Sequence, residues 1–347
     1  MAKVLTGSLT IFLLCCFYTG FSQGNGYAVG ADLSFLKQAE DNGFSFKENG
    51  LPKKGLEIFR DHGYNWIRLR LFHNPDRLPN NLEYTLALAK AAKNSGYKFL
   101  LDYHYSDTWA DPGKQFTPKA WEGKSHEELV EAVYEYTRET MTAFREASAF
   151  PDMVQIGNEV SNGMIWPDGK LPDNWQNFAE LTQAGINGVF AACGNHPRPK
   201  IMIHIDKGGN QVQTKAFYDR LASFGIDFDV IGQSYYPWWH GSLLDLRDNM
   251  YFMAKTYKKP IILVEVAYCA SPTEYKDKPA PFPESPEGQQ AFLDEVNRIV
   301  LNTPDHLGTG VFWWEPATMN GRSTRDFFDP DGNVLPVITV FDKFYRH

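Results

Sequence analysis

Cysteine is scarce in this chain: four in 347 residues, two of them, Cys15 and Cys16, inside an apolar N-terminal segment. The other two, Cys193 and Cys269, are too few for a disulfide scaffold, and two buried thiols are expected. A cationic surplus is also missing. Lys and Arg number 34 against 42 Asp and Glu, a net charge of −8, which argues against nucleic acid as a partner and leaves a neutral ligand open. No apolar run is long enough to span a bilayer. No linker, low-complexity tract or short repeat marks a second domain. His104 and His204 stand alone, without the His-x-His or comparable spacing that holds a catalytic ion, so no metal and no cofactor is expected. The Asp329–Asn333 stretch reads as a plain turn, because it lacks the remaining ligands of a calcium loop.

What is present is the composition of a soluble globular protein, 43% hydrophobic and 22% charged, with chain enough for one large domain. Residues 1–22 stand apart. Lys3 precedes an apolar core from Leu9 to Tyr18, and the small residues Gly20 and Ser22 occupy −3 and −1 of a cleavage point. This is the pattern of a secretory signal peptide rather than a buried N-terminal helix. Leu13-Leu14 is a poor context for lipid attachment at the cysteines that follow. The expected mature chain is 23–347, delivered to the periplasm or the outer cell surface.

Short apolar runs alternate with helical patterns along the rest of the chain. Strands are expected over 27–32, 64–72, 97–104, 153–160, 200–206, 228–235, 260–267 and 309–315. Between them, helices are expected over 51–62, 82–95, from Ser125, from Asp173 to about Ala192, and over 210–224, 242–257 and 286–302. Ser125 and Glu128 form a capping-box pattern, and Leu129, Val133, Tyr136, Thr140 and Phe144 recur at helical spacing. Strands that are apolar throughout, each followed by a helix, belong to a parallel sheet covered by helices. Eight such units predict an α/β fold, a single-domain (β/α)8 TIM barrel.

Two of these strands end in a carboxylate. Met153-Val154-Gln155-Ile156-Gly157-Asn158-Glu159 and Pro260-Ile261-Ile262-Leu263-Val264-Glu265 each deliver a Glu where burial without a partner is costly. A barrel gathers the carboxyl ends of its strands at one rim, and there Arg68, His104, Asn158, Glu159, His204, Tyr235, Glu265 and Trp314 would meet. Singly, each has a structural explanation, such as a buried ion pair or a satisfied core histidine. Together they are hard to explain that way. Two facing carboxylates suit glycoside hydrolysis, one protonating the departing oxygen and the other attacking the anomeric carbon or activating water. Of nine tryptophans, Trp109, Trp166, Trp238, Trp239, Trp313 and Trp314 fall at or just after strand ends, where flat indole faces suit the C–H faces of sugar rings.

The string Leu101-Asp102-Tyr103-His104-Tyr105-Ser106-Asp107-Thr108-Trp109-Ala110-Asp111-Pro112-Gly113-Lys114-Gln115 closely resembles that of glycoside hydrolase family 53, the endo-β-1,4-galactanases of clan A. So do Gly30-Ala31-Asp32, Ile156-Gly157-Asn158-Glu159, Ser234-Tyr235-Tyr236-Pro237 with Trp239-His240-Gly241, and Phe312 to Pro316. The resemblance covers roughly residues 27–345. It implies Glu159 as general acid/base, Glu265 as the nucleophile of a galactosyl-enzyme intermediate, and Asn158 as ligand of the sugar 2-OH. It further implies that Arg68 keeps Glu265 ionised, that Trp314 floors the cleavage subsite, and that Asp32, His104, Trp109, His204, Tyr235 and Trp239 line the substrate, with Tyr236 an alternative to Tyr235. Trp313 stands where family members often have Tyr, and the loop from Ala317 to Asp329 lacks the calcium-site elements of some bacterial members.

The implied activity is retaining hydrolysis of the galactan backbone of plant type I arabinogalactan by a monomer, with galactan and galacto-oligosaccharides as its partners. Retention predicts carboxyl groups about 5–5.5 Å apart rather than roughly 6.5–9.5 Å. The rivals are another retaining barrel enzyme with the same two Glu (a mannanase, xylanase or β-glucanase) and a non-catalytic glycan-capture protein. The latter has no use for a 2-OH ligand beside an acid and a nucleophile.

Overall fold

The computed structural model describes residues 26–272, 275, 277–318 and 323–344. The expected signal peptide lies outside them. Eight parallel strands close a barrel: β1 (Ala28–Asp32), β2 (Trp66–Leu71), β3 (Lys98–Tyr103), β4 (Met153–Ile156), β5 (Lys200–Ile205), β6 (Val230–Tyr235), β7 (Ile261–Val266) and β8 (Gly308–Trp313). Each strand pairs with its sequence neighbours, and β1 closes the ring by pairing with both β2 and β8. Around it lie α1 (Leu36–Asp41), α2 (Gly55–Asp61), α3 (Leu82–Asn94), α4 (His126–Glu146), α5 (Trp175–Ala191), α6 (Gln211–Ser223), α7 (Leu243–Tyr257) and α8 (Pro286–Leu301). The place after β8 is taken by a 3₁₀ segment, Pro336–Phe344, packed on α8. No helix among the described residues is long and apolar enough to cross a membrane.

The eight expected strands all form, because their continuous Val/Ile/Leu character satisfies burial on both faces. The capping box forms as read: Glu128 N–H donates to Ser125, and the Glu128 carboxylate accepts from the Ser125 N–H. Three expectations need correction. Residues 51–62 are not one helix. Asn49 and Gly50 both have positive φ (52° and 75°) and turn a hairpin between Lys47–Glu48 and Leu51–Pro52, so α2 starts only at Gly55. An Asn-Gly pair between short extended runs is the usual signal for that turn. Asp173 caps nothing; α5 starts at Trp175 behind Asn174, without a side-chain cap. Of the two thiols, Cys269 is buried but Cys193 only partly so.

Inside the barrel, side chains alternate and stack in layers. The lowest is apolar and includes Ala28, Trp66, Leu100, Met153, Met202, Val230, Ile262 and Phe312. One step up, the inward positions are polar: Arg68, Asp102, Gln155 and His204. Gly232 occupies the same level of β6. A Cβ there would lie 2.8 Å from Met202 Sδ and 3.2 Å from His204 Cβ, so a larger residue would crowd Met202 and the base of the His204 side chain. The apolar plug below and the helices outside make this level dry, and its charges can be satisfied only by one another.

Candidate active site

Glu159 follows β4 in a left-handed conformation, φ 47° and ψ 51°. That backbone costs a non-glycine residue about 1–2 kcal/mol, and it turns the carboxylate over the barrel mouth. Glu265 lies within β7. The pairing of β7 with both β6 and β8 shifts register beside it, and such bulges re-aim side chains near active sites. Both carboxylates line one cleft of about 290 Å³, together with Arg70, His104, Trp109, Asp111, Lys114, Asn158, Tyr236, Trp239, Trp314 and Arg325.

Beneath the cleft, the guanidinium of Arg68 is fully buried and joins three carboxylates. Nη1 meets Asp32 at 3.0 Å and Glu265 at 2.8 Å; Nη2 meets Asp102 at 2.8 Å. Nη2 also donates to Asn158 Oδ1 at 2.8 Å, so one arginine fixes both the Glu265 carboxylate and the Asn158 amide. Asn158 Nδ2 donates to the Ala110 carbonyl at 2.8 Å, which leaves its second hydrogen for the cleft. Glu265 Oε2 accepts from the Tyr236 hydroxyl at 2.8 Å. Glu159 Oε1 accepts from the Ser234 hydroxyl at 2.6 Å.

Burial raises the pKa of both glutamates, and by different amounts. Glu159 is pushed well above the usual carboxylate value by burial, by the charge of Glu265 and by Asp206; the Ser234 hydrogen bond only partly offsets this. Glu265 is also raised by burial, but Arg68 and the Tyr236 hydroxyl pull it back. Arg68 was expected to hold Glu265 low. It acts in that direction, but desolvation outweighs it. Arg68 and the Tyr236 hydroxyl thus oppose burial at Glu265, while only the Ser234 hydroxyl does so at Glu159, an asymmetry of the kind that lets two neighbouring carboxyls take different protonation states.

Of the expected substrate ligands, His104, Trp109, Asn158, Trp239 and Trp314 line the cleft. Asp32, Arg68 and His204 do not reach it; all three are buried in the layer below, where Asp32 binds Arg68 and His204 meets Asn158 and Ser234. Tyr235 is a correction of another kind. Strand alternation turns it away from the barrel, where it stacks on Phe292 of α8 and donates to the Gly241 carbonyl at 3.0 Å. Tyr236 is the inward tyrosine. Ser234 was not among the expected ligands, although it shares the parity of Tyr236; Arg70, expected on the same face as Arg68, lines the cleft. Arg325, over the Trp314 ring at 4.4 Å, had no signal in the sequence. Trp238 and Trp313 serve packing: Trp238 stacks on Tyr268, and Trp313 packs on Phe327 and donates to the Arg325 carbonyl. Trp166 lies outside the cleft and donates to the Asn162 carbonyl.

The family model described as Glycosyl hydrolase family 53 matches residues 28–342. A probable arabinogalactan endo-β-1,4-galactanase A of Aspergillus fumigatus is 39% identical over 91% of this chain and 92% of its own. The arabinogalactan endo-β-1,4-galactanase of Cellvibrio japonicus is 33% identical over 100% of this chain and 98% of its own. A solved structure from work on two fungal β-1,4-galactanases superposes with a TM-score of 0.86 at 33% identity, covering 92% of this chain and 100% of that one.

Proposed function

The chain belongs to glycosyl hydrolase family 53, and from that premise we infer that it is a retaining endo-β-1,4-galactanase cleaving the galactan backbone of arabinogalactan. The observation that carries the mechanism is the unequal pair of carboxyls in one cleft. Glu159, the more strongly raised, enters the reaction protonated and gives its proton to the glycosidic oxygen as that bond breaks. Glu265, held by Arg68 and Tyr236, attacks the anomeric carbon and forms a glycosyl ester. The aglycone leaves as an alcohol. Glu159, now ionised, takes a proton from water, whose oxygen attacks the same carbon and releases Glu265. Two inversions return the β configuration, and the chemistry needs only two carboxylates and a water. Asn158, fixed through Arg68, offers its free amide hydrogen to the 2-OH, and Trp314 and Trp239 supply flat apolar faces for the rings.

Glu265→Ala tests this. Turnover on galactan should fall by more than about a thousandfold while the melting temperature and galacto-oligosaccharide binding survive. Wild-type-like turnover would remove Glu265 from the mechanism.

The positively charged start and apolar core of residues 1–22 support export to the periplasm or cell surface, with a mature catalytic domain over 23–347. N-terminal sequencing of the secreted protein should begin near residue 23, and a cytosolic full-length chain would refute export. The enzyme is proposed to act as a monomer, because the cleft is complete within one chain; scattering in solution at the mass of a dimer would overturn this.

A further inference from the structure

Glu159 sits in a closed ring of hydrogen bonds. Its backbone N–H donates to His204 Nδ1 at 3.4 Å, His204 Nε2 meets Ser234 Oγ at 2.8 Å, and the Ser234 hydroxyl donates to Glu159 Oε1 at 2.6 Å. The ring has one consistent polarity. Asn158 Oδ1 lies 3.1 Å from the same Nδ1 and accepts from Arg68 Nη2 at 2.8 Å, while the Glu159 N–H can only donate and has Nδ1 as its acceptor. Nδ1 is therefore the acceptor and the imidazole proton sits on Nε2. His204 then donates to Ser234, and Ser234 has only Glu159 Oε1 left to donate to. Burial, with Arg68 and His104 nearby, keeps the imidazole well below its ordinary pKa and hence neutral. The register shift between Gln233 and Ser234 in β6 lies beside this ring, and the missing side chain of Gly232 keeps Met202 and the His204 Cβ uncrowded.

We propose that Ser234 and His204 are positioning residues for the acid: by keeping Oε1 an acceptor, they confine the transferable proton of Glu159 to Oε2, the oxygen left for the cleft. Without the ring, the proton divides between the two oxygens and the carboxyl is free to rotate. Once Glu159 has ionised, the same hydroxyl steadies the anion that activates water. The inference rests on Glu159 being the acid. The other groups facing Glu159 are Glu265 and Tyr236, Asp206 paired with Lys207 after β5, and Asp111 paired with Lys114 after β3, while Arg68, His104 and His240 face His204. All remain in the variants below.

The test measures kcat/KM from about pH 4 to 9 on two substrates that differ in their need for an acid. Galactan has an alcohol leaving group; 2,4-dinitrophenyl β-galactobioside has one that leaves unprotonated. Ser234→Ala and His204→Leu should lose about tenfold on galactan and less than about twofold on the aryl substrate, and in Ser234→Ala the alkaline limb should also rise by about one pH unit because the donor to the anion is gone. His204→Gln, whose amide N–H can replace Nε2–H, should recover most of the loss seen in His204→Leu on galactan. Equal losses on both substrates with an unmoved limb, or a Gln variant indistinguishable from Leu, would overturn the proposal. If Ser234→Ala fails to fold, the Leu/Gln contrast decides alone. Glu159→Ala is the separate control. As the acid, it should lose at least a hundredfold more on galactan than on the aryl substrate; equal losses would reject the acid assignment itself, whatever the ring does.

Discussion

Tyr235 and Tyr236 are adjacent in sequence, and removing their hydroxyls one at a time separates two quantities that strand alternation keeps apart. The Tyr236 hydroxyl donates to Glu265 Oε2 at 2.8 Å, and burial with the nearby Glu265 charge holds its pKa well above the ordinary phenol value, so it remains a donor throughout the assay range. A hydrogen bond to a charged acceptor contributes about 1.5–3 kcal/mol. In Tyr236→Phe, Glu265 keeps only Arg68 to oppose burial, so its pKa climbs further. The acidic limb of kcat/KM on galactan, set by ionisation of the nucleophile, should move up by about one to two pH units, with a loss of roughly tenfold or more on the acid side that shrinks toward neutrality. Tyr235→Phe removes a neutral hydrogen bond to the Gly241 carbonyl. It should cost about 0.5–1.5 kcal/mol of stability and leave the limb in place. Reducing-sugar release across pH and a thermal melt read both effects. An unmoved acidic limb in Tyr236→Phe, or a moved one in Tyr235→Phe, would refute the reasoning.

Arg68→Met leaves Asp32, Asp102 and Glu265 buried without their shared cation. It should destabilise the fold by about 3–5 kcal/mol in chemical denaturation, and a loss under about 1 kcal/mol would show that the network is not needed. Asp326 is held by burial at a pKa of about 7, while Thr318 donates to it. Because this folded value exceeds the unfolded one, its contribution to stability is full below about pH 3.9 and is lost as pH rises through about 7, at most about 4 kcal/mol. Asp326→Asn should flatten the fall in melting temperature between about pH 4 and 7; curves parallel to wild type would refute this. Trp239 is 49% exposed at the cleft edge. Trp239→Ala should raise KM for galactan about five- to tenfold with kcat and melting temperature nearly unchanged, and an unchanged KM would remove it from the binding surface.

The sequence alone determined the barrel, because eight apolar runs with helical stretches between them admit few other solutions. It also determined the two glutamates, since a carboxylate at the end of a buried strand demands a reason. Local chemistry is legible in short motifs, as in the Ser125-Glu128 cap, and the Asn49-Gly50 turn carries a signal of the same kind that outweighs the helical pattern after it. The tertiary structure alone decided which polar residues touch the cleft and which lie one layer below. Arg68 and His204 read as rim residues because they sit near strand ends, and Asp32 through the family resemblance, but depth inside a barrel depends on how neighbouring strands stagger, and that is a property of the sheet. The choice between Tyr235 and Tyr236 turns on strand parity next to a register shift, which no single strand reveals. The difference between Glu159 and Glu265 is the clearest case. Side chains of one kind acquire different proton affinities only because folding places Arg68 and Tyr236 against one and leaves a single hydroxyl, Ser234, against the other.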